Sequence, residues 1–293
     1  MKNLNVTGKK NIFFIISLIL IFISVGALLY KGLNFGIDFI GGTIIQIELN
    51  EKFETSDISE IIDTYDKSAD ITYSGDEKTQ VIINTKVDLS EDQRKEVFQI
   101  FKDKYDLEDE DLLSIEKVSP SIGSELKRQS LIAAVIAVVC MLIYITFRFE
   151  FTFGIASIIA LVHDLLIVLG VYAIFQIQVN TPFIAAILTI LGYSINDTIV
   201  VFDRIRENRK KDKKLDFAEL VNRSISQTIT RSINTSLTTL LALSALYVLG
   251  VQSIKDFAFP MIIGFVSGAY SSIFVASSFW FWVNEKKLKS TKS

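Results

Sequence analysis

Apolar residues are gathered into six long runs separated by polar breaks: Asn11 to Tyr30, Leu131 to Phe147, Phe151 to Gln176, Pro182 to Phe202, Ser232 to Ile254 and Phe257 to Val283. A bilayer core about 30 Å thick takes roughly 20 helical residues to cross, because backbone polar groups cannot be left unpaired in hydrocarbon. Each run meets or approaches that length, so the pattern predicts six membrane-spanning helices. Lys9 and Lys10 precede the first run, as in a signal peptide. That run is longer than the roughly 7 to 15 residues of a signal-peptide core, however, and no A-x-A site follows, so it is expected to stay as an uncleaved span.

Between the first and second runs the periodicity changes. Thr43 to Leu49 alternates like a strand, and Ser56 to Tyr65 puts Ile58, Ile61 and Ile62 on one helical face. Asp70 to Ser74 and Gln80 to Val87, with Val81 and Ile83 alternating, read as strands around a turn at Gly75 to Lys78. Ser90 and Gln93 make a capping box ahead of Val97, Phe98 and Phe101, and Leu112 to Val118 closes the block as a strand. The order β-α-β-β-α-β is the ferredoxin-like split pattern, and about 75 residues suffice for it to fold.

The expected architecture is therefore a membrane all-α bundle of six transmembrane helices with a ferredoxin-like α+β extracytoplasmic domain between the first two. Its boundaries are expected at 1–30 for the tail and first helix, 31–129 for the domain, 130–283 for the five-helix region with a cytoplasmic loop at 203–230, and 284–293 for the tail.

Composition agrees: of 293 residues, 50% are hydrophobic and 22% charged, which excludes a disordered polymer and suits a membrane protein. The net charge of −3 conceals a division. Residues 31–128 hold 23 of the 33 acids and 12 of the 30 bases, a net −11, against +8 for the remainder. Those bases flank apolar runs, which marks topology rather than a nucleic-acid surface. With the N-terminus inside, the inner segments hold 16 Lys and Arg while the short outer loops hold only Lys255. Both termini are accordingly expected in the cytoplasm. Cys140 is the only cysteine, so no intrachain disulfide can form. A phosphate-binding G-x-x-x-x-G-K-[ST] loop and Cys/His metal spacing are both missing, and neither cofactor nor metal is expected.

Ionisable groups inside the bilayer cost several kcal/mol, so they need a partner or a function. Four require explanation: His163, Asp164, Asp197 and Arg231. Asp197 lies near the inner end of the fourth span and Arg231 at the inner start of the fifth, at similar depth on sequential helices, so they are expected to meet. Two readings fit: a proton pathway in which helix movement changes the carboxyl's charge state, or a static ion pair holding two spans together. His163 and Asp164, with Ser194 and Asn196, form a candidate polar network or interhelical glue. Gly264, Gly268, Ser272 and Ala276 recur every four residues and suit close helix packing. Gly192-Tyr193-Ser194 has a weak likeness to an intramembrane serine protease, but only His163 could serve as its base, and an enzyme is not expected.

Several motifs together resemble the SecF branch of the bacterial SecD/SecF protein-export family, itself similar to one half of an RND-type transporter. They are Gly36-Ile37-Asp38-Phe39-Ile40-Gly41-Gly42, Pro120-Ser121-Ile122-Gly123-Ser124-Glu125-Leu126, His163-Asp164, Gly192 to Asp197 running on through Asp203 to Asn208, and Arg231-Ser232 with Asn234-Thr235-Ser236. Ile40 and Ser119 depart from the usual pattern, at a small or hydroxyl residue and a glycine respectively. The resemblance covers nearly the whole chain. It implies a multi-pass protein of the bacterial plasma membrane that pairs with SecD, associates with the SecYEG channel, and draws preproteins outward by proton flow after the SecA step. It assigns Asp197 and Arg231 to the proton pathway and Gly36, Asp38, Gly41 and Gly42 to a motif beside the first span. A non-transducing scaffold, or half of an RND-type efflux pump, are the alternatives; the small outer domain disfavours the latter.

Overall fold

A computed structural model describes residues 4–74, 79–212 and 215–292, without the side chains of 253 and 287–292. The turn expected at Gly75 to Lys78 lies outside the described residues. In chain order the elements are α1 (Lys10–Lys31), β1 (Asn34–Phe35), α2 (Ile37–Ile40), β2 (Gly42–Glu48), α3 (Thr55–Ile62), β3 (Asp70–Ser74), β4 (Gln80–Thr85), α4 (Glu91–Tyr105), β5 (Leu112–Val118) and α5 (Pro120–Arg148). They continue with α6 (Phe151–Phe175), β6 (Gln178–Val179), α7 (Thr181–Lys211), α8 (Phe217–Leu249), α9 (Gln252–Tyr270) and α10 (Ser277–Lys292), the last two joined by a π-helical turn at Ser271–Ala276.

Six of these helical segments are long and apolar enough to cross a membrane: Thr7–Lys31, Pro120–Arg148, Phe151–Phe175, Thr181–Lys211, Phe217–Leu249 and Ile254–Lys286. Their outward surfaces are those of a lipid-bathed bundle. Phe22 and Phe147 are 81% and 89% exposed, and Leu131, Val135, Ile136 and Val139 line one open face of α5. A water-soluble protein does not tolerate so large an apolar exterior. The sole cysteine, Cys140, is exposed on the same helix.

Two boundaries differ from the hydropathy reading. Segment 203–230, expected as a connecting loop, is mostly helix: α7 runs on to Lys211 and α8 begins at Phe217. Hydropathy stops where charge begins, but the helix does not, because these charges pair along its surface. Glu207 bridges Arg204 and Lys211 at i−3 and i+4. Asn208 then donates to Ser224 Oγ (2.9 Å) and Gln227 Oε1 (2.8 Å), zipping the two extensions over buried Ile205, Leu220 and Val221. Likewise α5 starts at Pro120, so the expected division at 129/130 falls inside a helix; Ser119 is its N-cap and Pro120 sits in its first turn, where a missing N–H costs nothing.

The α/β unit forms an antiparallel four-stranded sheet in the order β3-β4-β2-β5. Ile45 lies opposite Ile83 on one side and Ile115 on the other. Its inner residues Ile45, Ile47, Val81 and Ile83 are buried against Ile58 and Ile62 of α3 and Val97 and Phe101 of α4. Ser90 accepts from Gln93 N while Gln93 Oε1 accepts from Ser90 N, completing the capping box of α4.

The loop after α3 is gathered by Asp66, which accepts from Ser68 N (2.8 Å), Ser68 Oγ (2.7 Å), Thr85 Oγ1 (2.8 Å) and Lys86 N (3.0 Å). Burial pushes this carboxyl up, but the four donors outweigh it and hold it below the ordinary carboxylate range. A depressed folded-state value means the contribution is complete above the unfolded value and is lost as pH falls through the folded one. Asp66→Ala should therefore destabilise the unit by about 2 kcal/mol at neutral pH and leave little difference from the parent in strong acid. Amide exchange at Ser68 and Lys86 across a pH series measures this.

Candidate functional site

The motif after α1 fastens the α/β unit to the bundle. Gly36 N donates to Val179 O (2.8 Å), and β1 pairs in parallel with β6 between α6 and α7, a two-residue strand pair too short for periodicity to announce. Asp38 Oδ2 accepts from Thr181 N (2.8 Å), placing a carboxylate on the N-terminus of α7, where the helix dipole favours it. Gly41 and Gly42 have φ of 84° and 149°. A Cβ on Gly41 would stand 2.8 Å from Val118 O, and one on Gly42 would run into Thr85 O. Gly123, one turn into α5, packs its bare Cα against the backbone of Phe39, where a Cβ would be 2.5 Å from the carbonyl. A cavity of about 300 Å³ lies beside this joint, with Asp38, Asp70 and Asp256 among its walls. Burial raises the Asp70 carboxyl, against opposition from Asn84 and Lys86.

Inside the bundle the anticipated ionisable groups divide into two sites. The first is Asp197, 3% exposed in the middle of α7, with the Ser236 hydroxyl of α8 3.4 Å from its Oδ2. Arg231 is on the same helix five residues earlier, but it is exposed, and among the described ion pairs none joins it to Asp197. The expected contact is thus not made within this chain; five residues along a helix turn the side chain about 140° away from Ser236. Asn196 is exposed on α7 and does not share the face of Ser194, because two positions along a helix turn the side chain by about 200°. Gly192 and Asn234 are exposed as well, and nothing lies within 4 Å of a Cβ built on Gly192.

The second site is Asp164, fully buried in α6. It accepts from Ser194 Oγ of α7 (2.7 Å to Oδ2), Ser267 Oγ of α9 (2.6 Å to Oδ1) and Ser271 Oγ of the π-helical turn (2.8 Å to Oδ2), and its Oδ1 lies 3.0 Å from His163 Nδ1. Thr198 Oγ1 donates to Ser272 Oγ (2.8 Å) and approaches Ser194 O (3.0 Å), extending the hydroxyl ladder toward Asp197 one turn below Ser194. The sequence reading missed Ser267 and Ser271. They repeat at the same four-residue spacing, each one position ahead of Gly268 and Ser272, so the signal was present, but serine is nearly neutral to hydropathy. Gly264 and Gly268 do provide close approach: Cβ atoms there would lie 2.5 Å from Ile190 Cδ1 and 3.3 Å from Ser194 Cβ. Among the described residues no group of His, Cys, Asp and Glu could hold a metal ion.

Residues 97–286 match the family model for the protein export membrane protein SecD/SecF C-terminal region, and residues 26–52 match the SecD/SecF GG motif. The second match contains Gly36 to Gly42, and the first contains both ionisable sites. The chain is 39% identical over 282 residues to the protein translocase subunit SecF of Sebaldella termitidis, covering 94% of this chain and 90% of that one. It is 34% identical to the SecF of Petrotoga mobilis, with each chain covered completely. The protein translocase subunit SecDF of Thermus thermophilus is 40% identical over 92% of this chain, which spans only 37% of that longer protein. A crystal structure of the Thermus SecDF, described as a translocon-associated membrane protein, superposes with a TM-score of 0.82 at 39% identity, covering 97% of this chain and 39% of that one.

Proposed function

The chain belongs to the SecD/SecF family of protein-export membrane proteins, and from that premise we propose that it is a SecF-type subunit which, with a SecD-type partner, uses the proton gradient to promote late stages of preprotein passage through SecYEG. The observation that carries this reading is a charge site only half built. Asp197 is buried with one weak hydroxyl contact, while Asn196 on the same helix and Arg231 and Asn234 on α8 stand exposed within the spanning segments. Polar groups in that position face protein or water rather than lipid. A second six-helix half seated there would complete the site, and the Thermus relative carries both halves in one chain.

In this reading the protein is multi-pass in the bacterial plasma membrane, with both termini in the cytoplasm. The α/β unit is a ferredoxin-like extracytoplasmic domain, supported by its β-α-β-β-α-β element order and its sheet order. Proton binding at Asp197 neutralises a buried charge, Arg231 supplies the compensating field, and helix movement follows from the change in their attraction. The unit on the other side contacts the emerging chain or the partner, after SecA has done its part. Export measured with and without an imposed proton gradient tests the coupling.

The proposed interface makes its own prediction. Gly192 has open space around its Cα, so Gly192→Leu should leave the fold of this chain intact. A leucine there would hold the partner's helix off, and recovery of the SecD-type partner with the tagged chain should fall about tenfold, the equivalent of about 1.4 kcal/mol. Unchanged recovery would place the interface elsewhere.

A further inference from the structure

A groove of about 550 Å³ runs between α1, α6 and the final span, with Asn11, Ser17, Val162, His163, Phe279 and Trp282 among its walls. Its lining is mostly apolar, with Asn11, Ser17 and His163 as its polar members. That imidazole is 2% exposed, yet its Nε2 has no hydrogen-bond partner. Its other nitrogen, Nδ1, lies 3.0 Å from the fully buried carboxylate of Asp164. Sequential residues on a helix seldom bond to each other in this way, since their side chains diverge. Here the ring lies between the carboxylate on one side and the groove on the other, with Tyr270 beside it at 5.9 Å between ring centroids.

From this arrangement we infer that His163 and Asp164 form a second proton-binding site, distinct from Asp197, which takes up and releases its proton at His163 Nε2 through the groove. Three serine hydroxyls can only donate to a carboxylate, and they do so at 2.6 to 2.8 Å. With Asp164 accepting, Nδ1 carries a hydrogen, and the neutral ring presents a bare lone pair at Nε2. A buried carboxylate without a cationic partner is costly, and among the described ion pairs no Lys or Arg reaches Asp164. One proton at Nε2 turns the imidazole into an imidazolium and cancels that charge. In this reading the proton enters and leaves by the groove's Asn11 end, next in sequence to Lys10, which pairs with Glu285; only an N–H bond is made and broken.

The titratable neighbours are few. From α1, Asn11 and Ser17 share the groove, Ser17 bonded to the Tyr270 hydroxyl at 3.2 Å; the final span presents Tyr270 itself with Ser267 and Ser271; α7 presents Ser194 and, one turn on, Asp197. Asp197 is therefore the charge on the neighbouring helix to which this site couples, through Ser194 and Thr198. The inference deepens the proton-coupling reading and rests on it only for the use made of the second proton.

His163 is the only histidine in the chain, so ¹⁵N-histidine labelling of an untagged full-length protein in lipid nanodiscs reports this ring alone. Lowering the pH from about 9 to about 5 should convert an Nδ1–H neutral ring into a doubly protonated one. Asp164→Asn should abolish that conversion within the range, because the charge that recruits the proton is gone. Ser271→Ala removes one donor and keeps the charge. It should retain the conversion, which guards against reading a misfolded Asp164 variant as support. Asp197→Asn should lower the doubly protonated fraction at a fixed pH near the transition. A ring that stays neutral throughout, or one that protonates identically in Asp164→Asn, overturns the second site. Either outcome leaves Asp197 untouched, since export in the Asp197 variant is a separate measurement.

Discussion

Replacing Asp197 with asparagine is expected to reduce gradient-driven export to the rate seen with no gradient, while partner recovery and protein abundance stay at parental levels. Asparagine keeps the size of the side chain and an oxygen for the Ser236 hydroxyl, now 3.4 Å away, so α7 and α8 remain packed. What it removes is a carboxyl that can exist with and without a proton. A charge crossing a membrane with 100 mV across it carries about 2.3 kcal/mol, which is the driving energy such a group can tap per proton. The check is a two-by-two comparison in vesicles, parent against variant, gradient against uncoupler. Full acceleration by the gradient in the variant would remove Asp197 from the coupling path. Loss of the partner or of the protein itself, with coupling intact in what remains, would favour the scaffold reading instead.

The second large effect is structural. Gly42→Ala is expected to prevent stable accumulation of the protein, with a loss of about 4 kcal/mol or more from combined backbone strain and steric conflict. Gly42 opens β2 at φ 149°, in a region closed to side chains, and a Cβ would be driven into the Thr85 carbonyl while lying 3.1 Å from Lys86 Cα. Neither neighbour can retreat. Thr43 pairs with Thr85 across β2 and β4, and Lys86 N is held by Asp66. Gly26→Ala provides the control, since nothing lies within 4 Å of a Cβ on that helical glycine and alanine is the better helix former. Membrane abundance and thermal unfolding of the two variants side by side would decide it, and equal stability would show that β2 can shift to admit the methyl.

Much of this architecture is legible from residue order alone. The six apolar runs mark the spans because hydrocarbon permits only long helices, and Ser90 with Gln93 marks the start of α4 because two backbone donors need those side chains. What hydropathy cannot see is a helix that outlives its membrane segment. Arg204 to Lys211 is as polar as a loop, but it stays helical on the strength of Glu207 and Asn208. The paired-charge expectation failed for a different reason. Similar depth on sequential helices says nothing about azimuth, and Arg231 is exposed on α8, five residues from the Ser236 that meets Asp197. Asp164 was visible as an anomaly, but its serine donors arrive from α7 and the final span, about 30 and 105 residues later, and only tertiary structure brings them together.

One rod connects all of these places. Helix α7 is 31 residues long, about 46 Å at 1.5 Å each, with Thr181 clasped by Asp38 at one end and Asn208 gripping α8 near the other. Asp197 sits just past its midpoint, so a tilt there swings the two tips in opposite directions, like a rocker on a pivot. A small change at the fulcrum would therefore reach the α/β unit and the far hairpin in the same stroke, and no separate transmission is needed between them.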